Sequence, residues 1–178
     1  MDFQLDDGIA VLRRTPGTLA ALLRGLPDGW TRSTEGTDTW SAYDIVGHLL
    51  HGEEDNWIAR ARMILDYGDG RPFAPFNRTA MFTKYDDYSL DQLLDAFEQA
   101  RAHSLETLDA LAMTPEKLAL TGTHPALGTV TLAHRFELAA FAWDTQETRH
   151  ILAMLRHGID GVYCDRVDRM VAAVGEWR

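Results

Sequence analysis

Apolar residues recur at three- and four-residue intervals along most of the chain, which is the spacing of amphipathic helices. Residues 7–25 carry the first such pattern. Thr15-Pro16 should interrupt it, because proline cannot continue the preceding hydrogen-bond ladder. Gly25 and Pro27 end it, and the polar stretch from Trp30 to Thr39 reads as a loop. A second helix begins at Ser41, with Asp44 three residues on in a capping-box arrangement, and runs to about Tyr67 before Gly68-Asp69-Gly70. Residues 71–88 hold Pro72, Pro75 and several aromatics without a clear period, so they form a long connection. The third helix starts at the Ser89/Gln92 capping pair and runs to about Leu111 on Leu93, Leu94, Phe97, Leu105 and Leu108. Thr114-Pro115-Glu116 caps a short turn of helix.

Thr121 to Thr129, with Gly122, Pro125 and Gly128, predicts a loop. The nearest approach to strand alternation, Thr129-Val130-Thr131-Leu132, is too short to count as one. A fourth long helix is expected from about Thr131 to His157, ended by Gly158, and a last short one from Asp160 to about Val174. The expected architecture is therefore all-α: a single domain over residues 1–178, a four-helix bundle with short additional helices. Its core should contain Leu49, Leu94, Phe97, Phe136 and Trp143.

Composition narrows the function. The net charge is −10 and no basic stripe exceeds Arg13-Arg14, which argues against nucleic acid. No run approaches the roughly 20 apolar residues of a membrane span. Cys164 is the single cysteine, so an internal disulfide framework and cysteine-only metal sites are excluded and a reducing compartment is the simpler expectation. The acidic start of the sequence lacks the apolar segment of a signal peptide, so a cytoplasmic location is expected.

Seven histidines matter only where they converge. On the fourth helix the inward stripe comprises Leu132, Phe136, Ala139, Trp143, Gln146, His150 and Met154. Gln146 and His150 thus share one otherwise apolar face, one turn apart. On the second helix His48 flanks the face of Ile45, Leu49 and Met63, and Gly52 one turn on should leave open space beside its imidazole. His48 facing Gln146 and His150 would make a three-ligand set for a divalent ion, although a core histidine bonded to a carbonyl is the commoner fate of such a residue. His51 falls on the polar face with Asp44 and Asp55 and should be solvated. His103 and His134 lack inward-facing partners, His124 sits in a loop, and His157 lies near a helix C-terminus.

The segment from Trp40-Ser41 through Gly47-His48-Leu49 to Glu53 resembles the second helix of DinB-like (YfiT-like) proteins. The run from His124 to Leu132, the Arg71–Phe76 segment and the C-terminal Val174–Arg178 are similar to the same family, so the resemblance spans the chain in order. It implies a four-helix bundle, often a homodimer, whose metal ligands are one histidine on the second helix and a His-x-x-x-His pair on the last long helix. His48 matches the first and His150 the last, whereas Gln146 stands where the pattern has histidine. An amide oxygen is a poorer donor to zinc or nickel than an imidazole nitrogen. Glu147, in a Glu147-x-x-His150 spacing, is a further possible donor. The activities that the resemblance implies are metal-dependent thiol S-transfer or hydrolysis of a small molecule, with Glu53 and Glu147 the nearest general-base candidates. The alternative is a non-catalytic dimeric bundle with a degenerate site, serving as a binding module.

Overall fold

The computed structural model describes residues 5–132, apart from Asp38 and Ala126. The expected helix four, the last short helix, Phe136, Trp143, Gln146, Glu147, His150 and Cys164 lie outside the described residues. In order come α1 (Leu5–Leu23), α2 (Asp28–Thr31), α3 (Ala42–Asp55), α4 (Trp57–Tyr67), a 3-10 turn (Gly68–Gly70), α5 (Met81–Lys84), α6 (Leu90–Ala110), α7 (Pro115–Leu118), β1 (Thr121–His124) and β2 (Gly128–Thr131). No helix among the described residues is long and apolar enough to cross a membrane.

Both capping boxes form as the sequence predicts. Asp44 N donates to Ser41 Oγ and Ser41 N to Asp44 Oδ2; Gln92 N donates to Ser89 Oγ and Ser89 N to Gln92 Oε1. Two long helices differ from expectation. Pro16 does not interrupt α1: it lies buried within a continuous helix. Proline removes the amide that would have bonded the Leu12 carbonyl. Arg101 Nη1, on α6, donates to that oxygen at 3.0 Å instead. The second predicted helix is divided at Asn56, whose φ of −122° and ψ of −68° end α3 and start α4.

The residues 121–131 form an antiparallel two-stranded hairpin rather than a loop, with Gly122 opposite Val130. Its sequence carries little alternation because only one position of each strand is buried, Gly122 in β1 and Val130 in β2. Gly128 makes the turn at φ +75°. A Cβ on Gly122 would stand 2.7 Å from Ile64 Cγ1 and 3.0 Å from Phe73 Cζ, so only glycine fits where the hairpin presses on α4.

Two apolar clusters hold these elements together. One joins α1, α3, α5 and α6 through Leu23, Val46, Leu49, Leu50, Met81, Leu93, Leu94 and Phe97. The other joins α4, Phe73, the end of α6 and the hairpin through Ala61, Ile64, Leu108, Val130 and Leu132. Leu49, Leu94 and Phe97 are buried as expected, whereas Ile45 is 44% exposed and does not belong to the inward face. Residues 73–77 are strapped across α3 and α4. Phe73 N donates to Thr123 O, Arg60 Nη2 to Ala74 O, and His51 Nε2 lies 3.1 Å from Asn77 O.

Candidate functional site

The strap brings Phe76 down onto α3 between two histidines. His48 and His51 are three residues apart and so lie on neighbouring lines of one helix face. The half-buried His48 ring packs 4.8 Å from Trp40, tilted at 57°, and 5.7 Å edge-on from Phe76, measured between centroids. Trp40 in turn meets Phe82 edge-on at 6.0 Å, and the Arg78 guanidinium lies 5.7 Å from the Trp40 centroid. His48 therefore sits in an aromatic wall beside an exposed cation. Gly52 does not leave open space beside it: the Trp57 indole packs against Gly52, and a Cβ there would lie 3.1 Å from Trp57 Nε1.

His51 is the main departure from the sequence reading. It is not solvated but only 4% exposed. Its ring stacks on Phe76 at 4.7 Å and 24°, its Nε2 meets the Asn77 carbonyl, and its Nδ1 lies 3.1 Å from Asp55 Oδ2. The polar face that α3 shows in isolation is covered by the strap, which no periodicity on α3 announces. The one signal in the sequence was the set His51, Glu54 and Asp55 at i, i+3 and i+4. These three offer ligand-type atoms within 4.8 Å of one another.

Lys84, on α5, bridges the two carboxylates. Its Nζ stands 2.7 Å from Glu54 Oε2 and 3.0 Å from Asp55 Oδ2. Burial works against its charge, but hydrogen bonds to Glu54 and Asp55 outweigh it and hold the ammonium pKa above the usual lysine value. The Tyr85 hydroxyl donates to Glu54 Oε2, and burial together with that bond pushes the phenol above its ordinary range.

Glu53 is withdrawn from the role of general base. It is neither solvated nor directed at His48: its Oε1 accepts from Arg101 Nη2 at 2.6 Å, with both side chains buried. His124 packs edge-on to Phe73 and accepts from Leu127 N through Nδ1. Of the expected ligands, His48 alone is among the described residues; Gln146 and His150 are not.

Residues 12–142 match the sequence profile of the DinB superfamily. The chain belongs to the DinB superfamily. Comparison with curated proteins gives no match. Among solved structures, this DinB chain resembles YfiT from Bacillus subtilis, described as a probable metal-dependent hydrolase with an unusual four-helix bundle topology. The TM-score is 0.63 at 19% identity, covering 77% of each chain. The fold class is thus the DinB-type helical bundle.

Proposed function

We propose that His48, Gln146 and His150 hold a divalent ion, zinc or nickel, and that the protein carries out metal-dependent hydrolysis or thiol S-transfer on a small molecule in the cytoplasm. The observation that carries this reading is the state of His48. His48, which the resemblance sets at the family's first ligand position, is half-buried and oriented by Trp40 and Phe76. An oriented imidazole in a partly dry setting fits a metal ligand. A divalent ion would act as a Lewis acid, lowering the pKa of a thiol or water. The chain's own residues do the rest: Trp40, Phe76 and Phe82 limit water around His48, and Arg78 offers a cation at the rim. A low-molecular-weight thiol is the expected co-substrate for transfer.

Gln146 favours the second reading, a dimeric binding module with a degenerate site. Metal content of untagged protein and zinc calorimetry on Gln146→His separate the two. Restoring the third imidazole should raise zinc or nickel affinity by more than about tenfold. If the variant binds no more tightly than the parent, the metal reading is replaced by the binding module. Light scattering that returns the monomer mass across a concentration series would remove the homodimer from either reading.

A further inference from the structure

His51 Nε2 faces a backbone carbonyl, which only accepts, so Nε2 carries the hydrogen. The electron pair of the neutral ring then belongs to Nδ1, which is buried, makes no hydrogen bond among the described residues, and stands 3.1 Å from Asp55 Oδ2. Two acceptors stand at contact distance without a hydrogen bond between them. That arrangement asks for a positive centre between them. A ring whose far N–H is anchored to a carbonyl, leaving the near nitrogen presented to carboxylates, is also the usual orientation of a metal-bound histidine.

The setting repeats the request. Glu53, Glu54 and Asp55 end α3 with no basic residue in its last turn. The helix dipole disfavours anions at that end. Glu53 is answered by Arg101, but among the described residues Glu54 and Asp55 share one cation, the ammonium of Lys84, with the Tyr85 hydroxyl also donating to Glu54. A local conflict of this kind in an otherwise consistent helix marks a functional position.

We propose that His51 Nδ1, Glu54 and Asp55 form a second divalent-cation site, of the zinc type, in which Lys84 is the built-in competitor. One nitrogen and two carboxylate oxygens make a three-ligand set with positions left for water, the donor mixture that suits zinc and its first-row neighbours. When the ion binds, Lys84 swings away from the carboxylates; when it leaves, the ammonium neutralises them again. Phe76 and Asn77 sit on His51, so the site couples to the strap that also touches His48.

The site shares no ligand with the one proposed at His48, and the test keeps them apart. Zinc is titrated by calorimetry into full-length His48→Ala protein, with cobalt(II) absorption reporting the donor set. The expected result is one ion per chain. Lys84→Met in that background should tighten binding about tenfold, because two exposed ion pairs no longer have to be broken. Asp55→Asn should weaken it by at least about as much. Lys84 and Asp55 are exposed, so both variants should fold. Absence of zinc binding in both His48→Ala and His48→Ala/Lys84→Met overturns the proposal and leaves a proton on Nδ1 as the positive centre. Binding that Asp55→Asn does not alter also overturns it, by putting the ion elsewhere.

Discussion

Replacing Arg101 with leucine tests how this bundle tolerates a proline inside its first helix. Arg101 lies 5% exposed and serves two buried acceptors from two helices: Glu53 Oε1 on α3 and the Leu12 carbonyl that Pro16 leaves without an amide on α1. Arg101→Leu strands both. An uncompensated buried carboxylate costs about 3–5 kcal/mol. The orphaned carbonyl adds up to about 1–3 kcal/mol where water cannot reach it. Against a total stability of about 5–15 kcal/mol, that is roughly a quarter or more of the whole. At about 2–4 °C per kcal/mol for a chain of this length, the ion-pair term alone lowers Tm by about 6–20 °C.

Urea unfolding followed by circular dichroism reads the loss as a shift in midpoint at unchanged slope. Two companion variants locate it. Glu53→Leu/Arg101→Leu should recover much of the stability, since an apolar pair replaces the ionic one. Pro16→Ala in the Arg101→Leu background should recover about 1 kcal/mol or more, by returning an amide to Leu12 O. A cost below about 1 kcal/mol for Arg101→Leu, or a double leucine variant less stable than the single, would refute this account of the clamp.

Gly122→Ala should cost about 1–3 kcal/mol, because its Cβ collides with Ile64 and Phe73, whereas Gly47→Ala meets nothing nearer than Tyr85 at 3.7 Å and should be neutral or stabilising; thermal melts of the two variants compare them directly. The Tyr85 phenol is held above the unfolded value of about 10, so its contribution is complete below pH 10 and is lost as pH rises through the folded value. Unfolding free energy should fall as pH climbs past about 10, and Tyr85→Phe should flatten that fall in urea titrations at stepped pH.

The local rules of helix formation were written in the sequence. Ser41/Asp44 and Ser89/Gln92 set where α3 and α6 begin, and the apolar spacing of α6 chose Leu94 and Phe97 for the core. Such features depend on neighbours within a turn, so a one-dimensional pattern carries them. The expectation for His48 had a different origin, since its flanking residues resemble a family pattern. What depended on distant partners was not legible. Pro16 survives within α1 because Arg101, on another helix, supplies the hydrogen bond that proline removes. The 121–131 hairpin forms because Ile64 and Phe73 bury one residue of each strand, too few to leave an alternation. His51 looked solvated because helical periodicity assigns a face but does not say what covers it. The strap from Phe73 to Asn77 covers that face, and tertiary structure alone turns a histidine expected to be solvated beside two carboxylates into a buried, oriented imidazole.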